Sequence, residues 1–311
     1  RDGLMVSAVI EAIDLTKRYR DVAAVDGVSF EVEEGSITGL LGGNGAGKTT
    51  LMSLISGQGF ASGGTVRVFG QHPVENDRVL SRLCFVRENL PYPNNWRIGH
   101  VLQAGPYFHP SWDMELARRL VSDFDLPRRR QIRKFSRGMV SAVGIVVGLA
   151  SRAPVTIFDE PYLGLDAAAR HRFYDLLLAD YASHPRTIVV SSHLVDEIAN
   201  LLDAVLVLER GRLVLDAAAE DLRGRAVVLT GRVVAVDALA RPYTVLRREA
   251  LGSLASITVF GDLDPDLRHR AAEASVELQP ASLQQLVVHA GALGTARATL
   301  TPDPTPLGAP R

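Results

Sequence analysis

The stretch Gly42-Gly43-Asn44-Gly45-Ala46-Gly47-Lys48-Thr49-Thr50 constrains the fold more than any other part of the chain. It fits the pattern G-x-x-x-x-G-K-[ST] at Gly42, Gly47, Lys48 and Thr49. The apolar run Ile37-Thr38-Gly39-Leu40-Leu41 ahead of it reads as a buried strand, and Lys48 to Ser56 behind it reads as a helix. A phosphate loop needs that strand–loop–helix setting. Glycines let successive N–H groups turn inward around an anion, and the helix N-terminus adds its partial positive charge. Lys48 is then expected to reach β- and γ-phosphates, the Thr49 hydroxyl to ligate Mg²⁺, and Thr50 to bond the α-phosphate. The alternative is a glycine-rich turn that binds nothing. The register of Lys48-Thr49 and the preceding strand favour the phosphate loop.

Length and composition narrow the class. The 311 residues allow one large or two modest domains. With 47% hydrophobic and 22% charged residues the chain can build a sizeable core, which excludes global disorder. A formal net charge of -1 gives no case for nucleic-acid binding by bulk charge, leaving only a local patch. The single cysteine, Cys84, rules out an intrachain disulfide and fits a reducing compartment. It lies in an apolar, strand-like run and reads as a buried, inert thiol. The longest apolar candidate for a membrane span, Met139 to Ala150, is too short and is interrupted by Ser141, Gly144 and Gly148. No signal peptide is visible. Met5 reads as a natural start, so Arg1 to Leu4 stay outside the fold argument.

Taken in order, Val9 to Asp14 and Val28 to Glu33 alternate apolar and polar residues, as antiparallel strands with one solvated face do. Between them Tyr19 either stacks on a purine base or covers a strand end; the phosphate loop that follows favours stacking. Gly63-Gly64 is a turn, Thr65 to Phe69 a strand, and Leu83 to Val86 another. Leu90 to Trp112, rich in proline, asparagine and aromatics, reads as irregular structure around a short helix near Ile98–Gln103. Asp113 is a good N-cap for a helix from Met114 to Phe124. The basic run Arg128 to Lys134 is either a solvated face or a contact surface for anions.

Ser136 and Gly138 fall at the start of a helix that ends near Ala150, a second ready anion site. Val155-Thr156-Ile157-Phe158 suits the centre of a parallel sheet and closes in Asp159-Glu160. Asp159 is expected to hold Mg²⁺ through water and Glu160 to orient or deprotonate an attacking water. The competing reading is a solvated acidic pair. Asp166 caps a helix to about Ala182, and the strand Thr187 to Ser191 ends in Ser192-His193. A lone histidine at a strand end is more often structural. If its strand lies beside that of Asp159, His193 points at a γ-phosphate. Ala204 to Leu208 and Arg212 to Leu215 flank a turn and read as a hairpin.

This ordered set resembles the ATP-binding subunit of ABC transporters, of the ABC-2 exporter type, over about residues 8 to 223. Tyr19 matches the base-stacking aromatic, Gly42 to Thr50 the Walker A loop, and Val155 to Glu160 Walker B with its catalytic glutamate. Ser136-Arg137-Gly138-Met139 matches the signature motif, Leu163 to Asp166 the D-loop, and His193 the switch histidine. The resemblance implies an α/β fold: a P-loop NTPase of RecA-like core with an antiparallel β-subdomain and a helical subdomain at about residues 87–150. The ATP-binding domain is placed at residues 5–223.

It also implies ATP and Mg²⁺ as ligands and a head-to-tail homodimer or heterodimer. Each ATP lies between one Walker loop and the other protomer's Ser136 and Gly138. A separately encoded integral membrane permease and a peripheral place on the inner, cytoplasmic face of the membrane follow, with permease docking around Glu88 to Trp112. No nucleic-acid partner is expected. Three positions depart from the pattern. Glu88 stands where many members have an Mg²⁺-ligating glutamine, and a carboxylate still serves. Arg137 replaces a glycine, and either strengthens binding or faces solvent. Gly43 replaces a common proline. ATPase activity is expected to be retained.

Arg223-Gly224-Arg225 reads as a boundary, followed by a small C-terminal α+β appendage over residues 226–290. Its expected strands are Ala226–Thr230, Tyr243–Leu246 and Ser256–Phe260, and its helices Asp264–Ala274 and Leu283–Ala290. Pro280 to Leu286 resembles a short closing helix of drug- and polymer-exporting subunits. Residues 295–311 carry Pro-Asp-Pro-Thr-Pro and are expected to be disordered. Two other functions compete. A soluble ABC ATPase acting on nucleic acid or ribosomes usually has two cassettes or a coiled-coil insertion, and neither is seen. Against a hydrolysis-deficient partner subunit stand Glu160 and His193.

Overall fold

The computed structural model describes residues 7–88 and 90–290. In chain order these form β1 (Ala8–Tyr19), β2 (Val22–Glu33), β3 (Ile37–Leu41), α1 (Lys48–Ile55), β4 (Gly63–Val68), α2 (Asp77–Leu80), β5 (Leu83–Val86), α3 (Ile98–Phe108), α4 (Met114–Asp123), α5 (Arg137–Ala150), β6 (Val155–Asp159), α6 (Ala167–Ser183), β7 (Thr187–Ser192), α7 (Val195–Ile198), β8 (Ala204–Glu209) and β9 (Arg212–Ala218). Then come α8 (Ala219–Leu222), β10 (Ala226–Arg232), α9 (Val233–Ala240), β11 (Thr244–Leu251), β12 (Leu254–Phe260), α10 (Leu267–Glu273), β13 (Glu277–Pro280) and α11 (Leu283–Val288). Contacts divide the chain into two units, meeting between Asp216 and Ala217. The expectation for residues 295–311 lies outside the described residues.

The first unit is α/β. Its main sheet has the order β5-β6-β7-β3-β8-β9, and β5, β6, β7, β3 and β8 pair in parallel. Every residue of β3, β6 and β7 is buried, as strands covered on both faces require. A second, antiparallel sheet has the order β2-β1-β4. One core joins the two: Val9, Ile10 and Leu15 of β1 pack with Leu51 and Met52 of α1 and with Ile157 and Val189 of the main sheet. The apolar–polar alternation ends at Asp14, but β1 does not. Asp14 takes φ 48° where the β1–β2 register shifts between Ala12 and Leu15. A bulge interrupts the pattern and the strand continues to Tyr19.

Helix α3 is longer than the sequence indicated and runs to Phe108 with Pro106 inside it. Proline there forgoes the N–H bond to the Leu102 carbonyl four residues back, and the helix ends two residues later. Asp113, Ser136 and Asp166 cap α4, α5 and α6, each accepting a backbone N–H from the residue three positions on. Helix α5 crosses the sheet closely because Gly148 leaves room for the Phe158 ring.

The second unit is a four-stranded antiparallel sheet of order β11-β12-β10-β13. Val236, Leu239, Leu267 and Ala271 of its helices share a core with Leu229, Ile257 and Val259. Three of its elements, α8, α9 and β13, escaped the sequence reading. The β-branched run in Val233-Val234-Ala235-Val236 lacks a helical signature, yet forms α9 because Val236 and Leu239 are buried on one side. β13 is a short strand at a sheet edge whose last residue is Pro280, and proline is tolerated at an edge.

Packing beneath α5 sets a test. A Cβ on Gly148 would lie 2.3 Å from Phe158 Cε1 and 2.9 Å from Val86 Cγ2, and Phe158 is fully buried. Alanine gains about 1 kcal/mol in helix propensity but overpacks the site by about 1–3 kcal/mol. Gly148→Ala is expected to lower the urea midpoint of the first unit. Gly99→Ala, with nothing within 4 Å, should leave it unchanged or raise it.

Candidate functional site

Parallel register gathers the site at one edge of the main sheet. Leu41 of β3 lies opposite Ser192 of β7, and Asp159 of β6 lies opposite Ser191. The loop after β3, the residue after β6 and the residue after β7 therefore emerge together, at the carboxyl ends of the strands where open α/β sheets bind ligands.

The loop's path depends on two glycines. Gly42 has φ 145°, and a Cβ there would lie 2.3 Å from the Leu208 carbonyl oxygen. Gly47, the residue before α1, has φ 106°, and its Cβ would lie 2.2 Å from the Ala24 carbonyl oxygen. No side chain caps α1, so the first-turn N–H groups face the cavity that the loop encloses. Lys48 is 7% exposed. Its Nζ donates to the carbonyls of Gly42 at 2.7 Å and Gly43 at 3.2 Å and lies 3.3 Å from Glu160 Oε1.

Asp159 and Glu160 are tied in by hydroxyls. Thr49 Oγ1 donates to Asp159 Oδ2, and Ser191 Oγ donates to Asp159 Oδ1, both at 2.8 Å. Ser191 Oγ in turn accepts the Glu160 N–H at 2.8 Å. Burial raises the Asp159 pKa above the ordinary value, against the lowering hydrogen bonds of Thr49 and Ser191; the Glu160 charge adds to the rise and Lys48 opposes it. Glu160 sits at φ 48°, a left-handed conformation that turns the chain sharply after β6.

Tyr162 joins this network, and the sequence reading had not singled it out. It is 2% exposed, and its hydroxyl donates to Glu160 Oε2. The same oxygen accepts from Ser192 Oγ at 3.1 Å and from the His193 N–H at 3.0 Å. His193 Nδ1 lies 2.8 Å from Glu160 Oε2, so a proton on Nδ1 completes the set. The two rings meet edge to face with centroids 5.6 Å apart. Burial first, and then the hydrogen bond to Glu160, push the Tyr162 pKa far up, so the phenol stays protonated and remains a donor. The available sequence signal was a tyrosine two residues after Glu160, at the end of a buried strand, where a buried hydroxyl must find partners. Ser191 was legible only as a strand residue.

A cavity of about 430 Å³ lies over this edge. It is lined by residues 44–50 with Ala24, Glu88, Arg137, Glu160, Leu163 and His193. The structure thus brings Asn44, Gly45, Ala46, Gly47, Lys48, Thr49, Thr50, Glu88, Glu160 and His193 to one space. Gly42 and Gly43 act through their carbonyls on Lys48, and Asp159 through Thr49. Tyr19, expected to stack on a base here, is not in the lining, and neither are Ser136 and Gly138, which were expected at a second protomer's nucleotide. Tyr19, at the end of β1, is 55% exposed, with Lys17 Nζ 5.0 Å above its ring. Ser136 caps α5 by accepting the Met139 N–H at 3.2 Å, and Gly138 abuts the Gly164 carbonyl.

For a metal, the donors of Thr49, Asp159 and Glu88 are all hard oxygens. Among the described residues no group of three or more histidine, cysteine, aspartate or glutamate side chains could hold an ion. That donor set fits Mg²⁺, which keeps waters and takes one or two protein ligands beside phosphate oxygens.

A family model described as "ABC transporter" matches residues 25–163. The chain is 31% identical over 229 residues to the bacitracin transport ATP-binding protein BcrA of Enterococcus faecalis, covering 71% of this chain and 73% of that one. It is 29% identical over 268 residues to the daunorubicin/doxorubicin resistance ATP-binding protein DrrA of Streptomyces peucetius, covering 82% and 78%. A solved ATP-binding subunit of an ABC transporter superposes with a TM-score of 0.62 at 25% identity, over 69% of this chain and 91% of that one. A dimeric post-hydrolysis ATP-binding cassette bound to ADP and Pi has the same fold, with a TM-score of 0.60 at 19% identity, over 68% and 98%.

The Tyr162 network makes a stability prediction. Tyr162→Phe keeps the ring but strips the acceptor from two buried donors, Ser192 Oγ and the His193 N–H, at about 1–3 kcal/mol. Denaturant unfolding should show that loss, and Ser192→Ala should cost less when combined with Tyr162→Phe than in the wild type. Additive losses would deny the coupling.

Proposed function

The chain belongs to the ABC transporter ATP-binding family, as an ATP-hydrolysing subunit of the exporter type, and from that premise we propose which of its residues run the cycle. The observation that carries the reading is the continuous chain Thr49–Asp159–Ser191–Glu160–Tyr162–His193, closed onto Lys48 at the mouth of one cavity. In this reading the N–H groups of residues 44–50 and the Lys48 ammonium bind the β- and γ-phosphates of ATP. Tyr19 stacks on the base. Thr49, Asp159 and Glu88 would hold Mg²⁺, which when bound neutralises charge on the phosphate oxygens.

Glu160 takes a proton from water while the water oxygen bonds to the γ-phosphorus and the bond to the ADP oxygen breaks. His193 lies beside Glu160 and lines the cavity; with a proton on Nε2 it donates to the γ-phosphoryl oxygens. Glu160 is engaged on both oxygens, by Lys48 on one and by Tyr162 and His193 on the other. It becomes a base only when phosphate draws Lys48 and His193 away. That dependence limits hydrolysis to the loaded site.

Ser136 and Gly138 lie outside their own chain's cavity lining. This supports a role toward the nucleotide of a second protomer, in a homodimer or heterodimer. Among the described residues no helix is long and apolar enough to cross a membrane. Similarity to proteins named as transport and resistance ATP-binding proteins supports a permease on a separate chain. An apolar cavity of about 320 Å³ lined by Leu90, Pro91, Tyr92, Trp96, Phe108 and Trp112 supports docking of that permease at this surface.

Replacing Glu160 by Gln should lower ATP turnover by about 10²–10⁴-fold, the range for a general base, with ATP binding kept. Lys48→Ala should weaken binding itself. Phosphate release and calorimetric ATP affinity measure the two, and undiminished turnover in Glu160→Gln would refute the assignment.

A further inference from the structure

We propose that Arg137 is a phosphate-binding residue of its own protomer's nucleotide cavity, held beforehand by Glu88 as a stand-in anion. The inference rests on the ATP reading of the cavity above and adds a ligand and an order of events to it. A glycine would ordinarily stand at this position in the resemblance, so neither role follows from the family pattern.

Three observations carry it. First, the Arg137 guanidinium forms an ion pair with Glu88 Oε1, although 49 residues separate them. Second, both residues line the same cavity as Lys48 and Thr49. Third, the Arg137 backbone and stem are fixed, while among the described residues its guanidinium is held by Glu88 alone and lies open to solvent. Ser136 caps the helix, and Ser141 Oγ holds the Leu163 carbonyl at 2.6 Å. A Cβ on Gly164 would lie 2.9 Å from Arg137 Cγ and 3.0 Å from Arg137 Cβ. The Arg137 side chain is nevertheless 55% exposed, so only the guanidinium can swing.

Charge decides where it goes. Lys48 and Arg137 are the lysine and arginine side chains of the lining, and each faces a carboxylate, Glu160 and Glu88 respectively. The cavity is therefore internally neutralised, whereas the ligand it is built for carries several negative charges. A guanidinium fork pairs with two phosphate oxygens as readily as with a carboxylate, and phosphate offers the larger charge. Triphosphate entry then exchanges partners. Arg137 leaves Glu88 for the phosphates, and Glu88, one of the groups that would hold Mg²⁺, loses its ion pair.

The test separates the two roles by leaving the metal out. ATP affinity is measured by calorimetry in EDTA, with dilute full-length protein, for wild type, Lys48→Ala, Arg137→Ala, Arg137→Lys, Glu88→Gln and the Glu88→Gln/Arg137→Ala double variant. Loss of a charge-assisted phosphate contact should weaken binding by about tenfold or more in Arg137→Ala, with Arg137→Lys between it and wild type. Glu88→Gln should tighten binding several-fold, because the competing anion is gone, and the double variant should bind like Arg137→Ala. Wild-type affinity in Arg137→Ala would overturn the proposal, as would weaker binding in Glu88→Gln or an equal effect of Glu88→Gln in both backgrounds. An Arg137 effect that appears only as protein concentration rises would assign the residue to a partner's nucleotide and also overturn it. If wild type fails to bind ATP, or Lys48→Ala matches wild type, it is the underlying site assignment that fails instead.

Discussion

One buried carboxylate holds the site together. Asp159 is 2% exposed and accepts hydrogen bonds from α1 through Thr49 and from β7 through Ser191. Burying a carboxylate is costly unless its oxygens are bonded, so both hydroxyls must stay in place. That requirement fixes the phosphate loop's helix against β6 and β6 against β7. Ser191 passes the constraint on, because the oxygen that donates to Asp159 also receives the Glu160 N–H. The strained turn at Glu160 is thereby anchored at its first atom, and the side chain is aimed at Lys48 and His193 and not at solvent.

A second regularity follows from the first. Every strong charge at the cavity is matched before ligand arrives: Asp159 by hydroxyls, Glu160 by Lys48, Tyr162 and His193, and Arg137 by Glu88. A site that must receive a highly charged anion pays less to reorganise if its cations are already positioned and only their partners change. Preorganisation here is not a set of waiting cations. In the proposed cycle it is a set of ion pairs whose anionic members act once displaced, Glu160 toward water and Glu88 toward metal.

What the sequence could disclose depended on the range of the interaction. The phosphate loop was legible because its glycines answer to local backbone geometry, and β3, β6 and β7 because burial on both faces writes itself as an uninterrupted apolar run. The caps at Asp113, Ser136 and Asp166 were legible for the same local reason. Tyr162 was not, since its meaning lies in groups 30 and 31 residues away that only strand pairing brings near. Arg137 was noticed as a departure, but its partner could not be read across 49 residues. The end of β1 and the length of α3 were obscured by a bulge at Asp14 and by Pro106, features that break a pattern without breaking the element. In the second unit, α9 was hidden because tertiary burial of Val236 and Leu239 overrode the local preference of a valine-rich run.

Chain continuity links the partner surface to the nucleotide. Glu88 lines the phosphate cavity and Leu90 lines the apolar groove, with a single residue between them. An occupant that shifts the groove wall and with it the Glu88 carboxylate couples the two sites. Movement of that carboxylate alters what Arg137 can bind and, with it, how the cavity is charged. Reciprocity then requires that nucleotide entry, by drawing Arg137 off Glu88, change the affinity of the groove for its occupant by the same factor. No long-range relay is needed for such coupling, because the carboxylate that pairs with Arg137 is two positions along the chain from a residue of the groove wall.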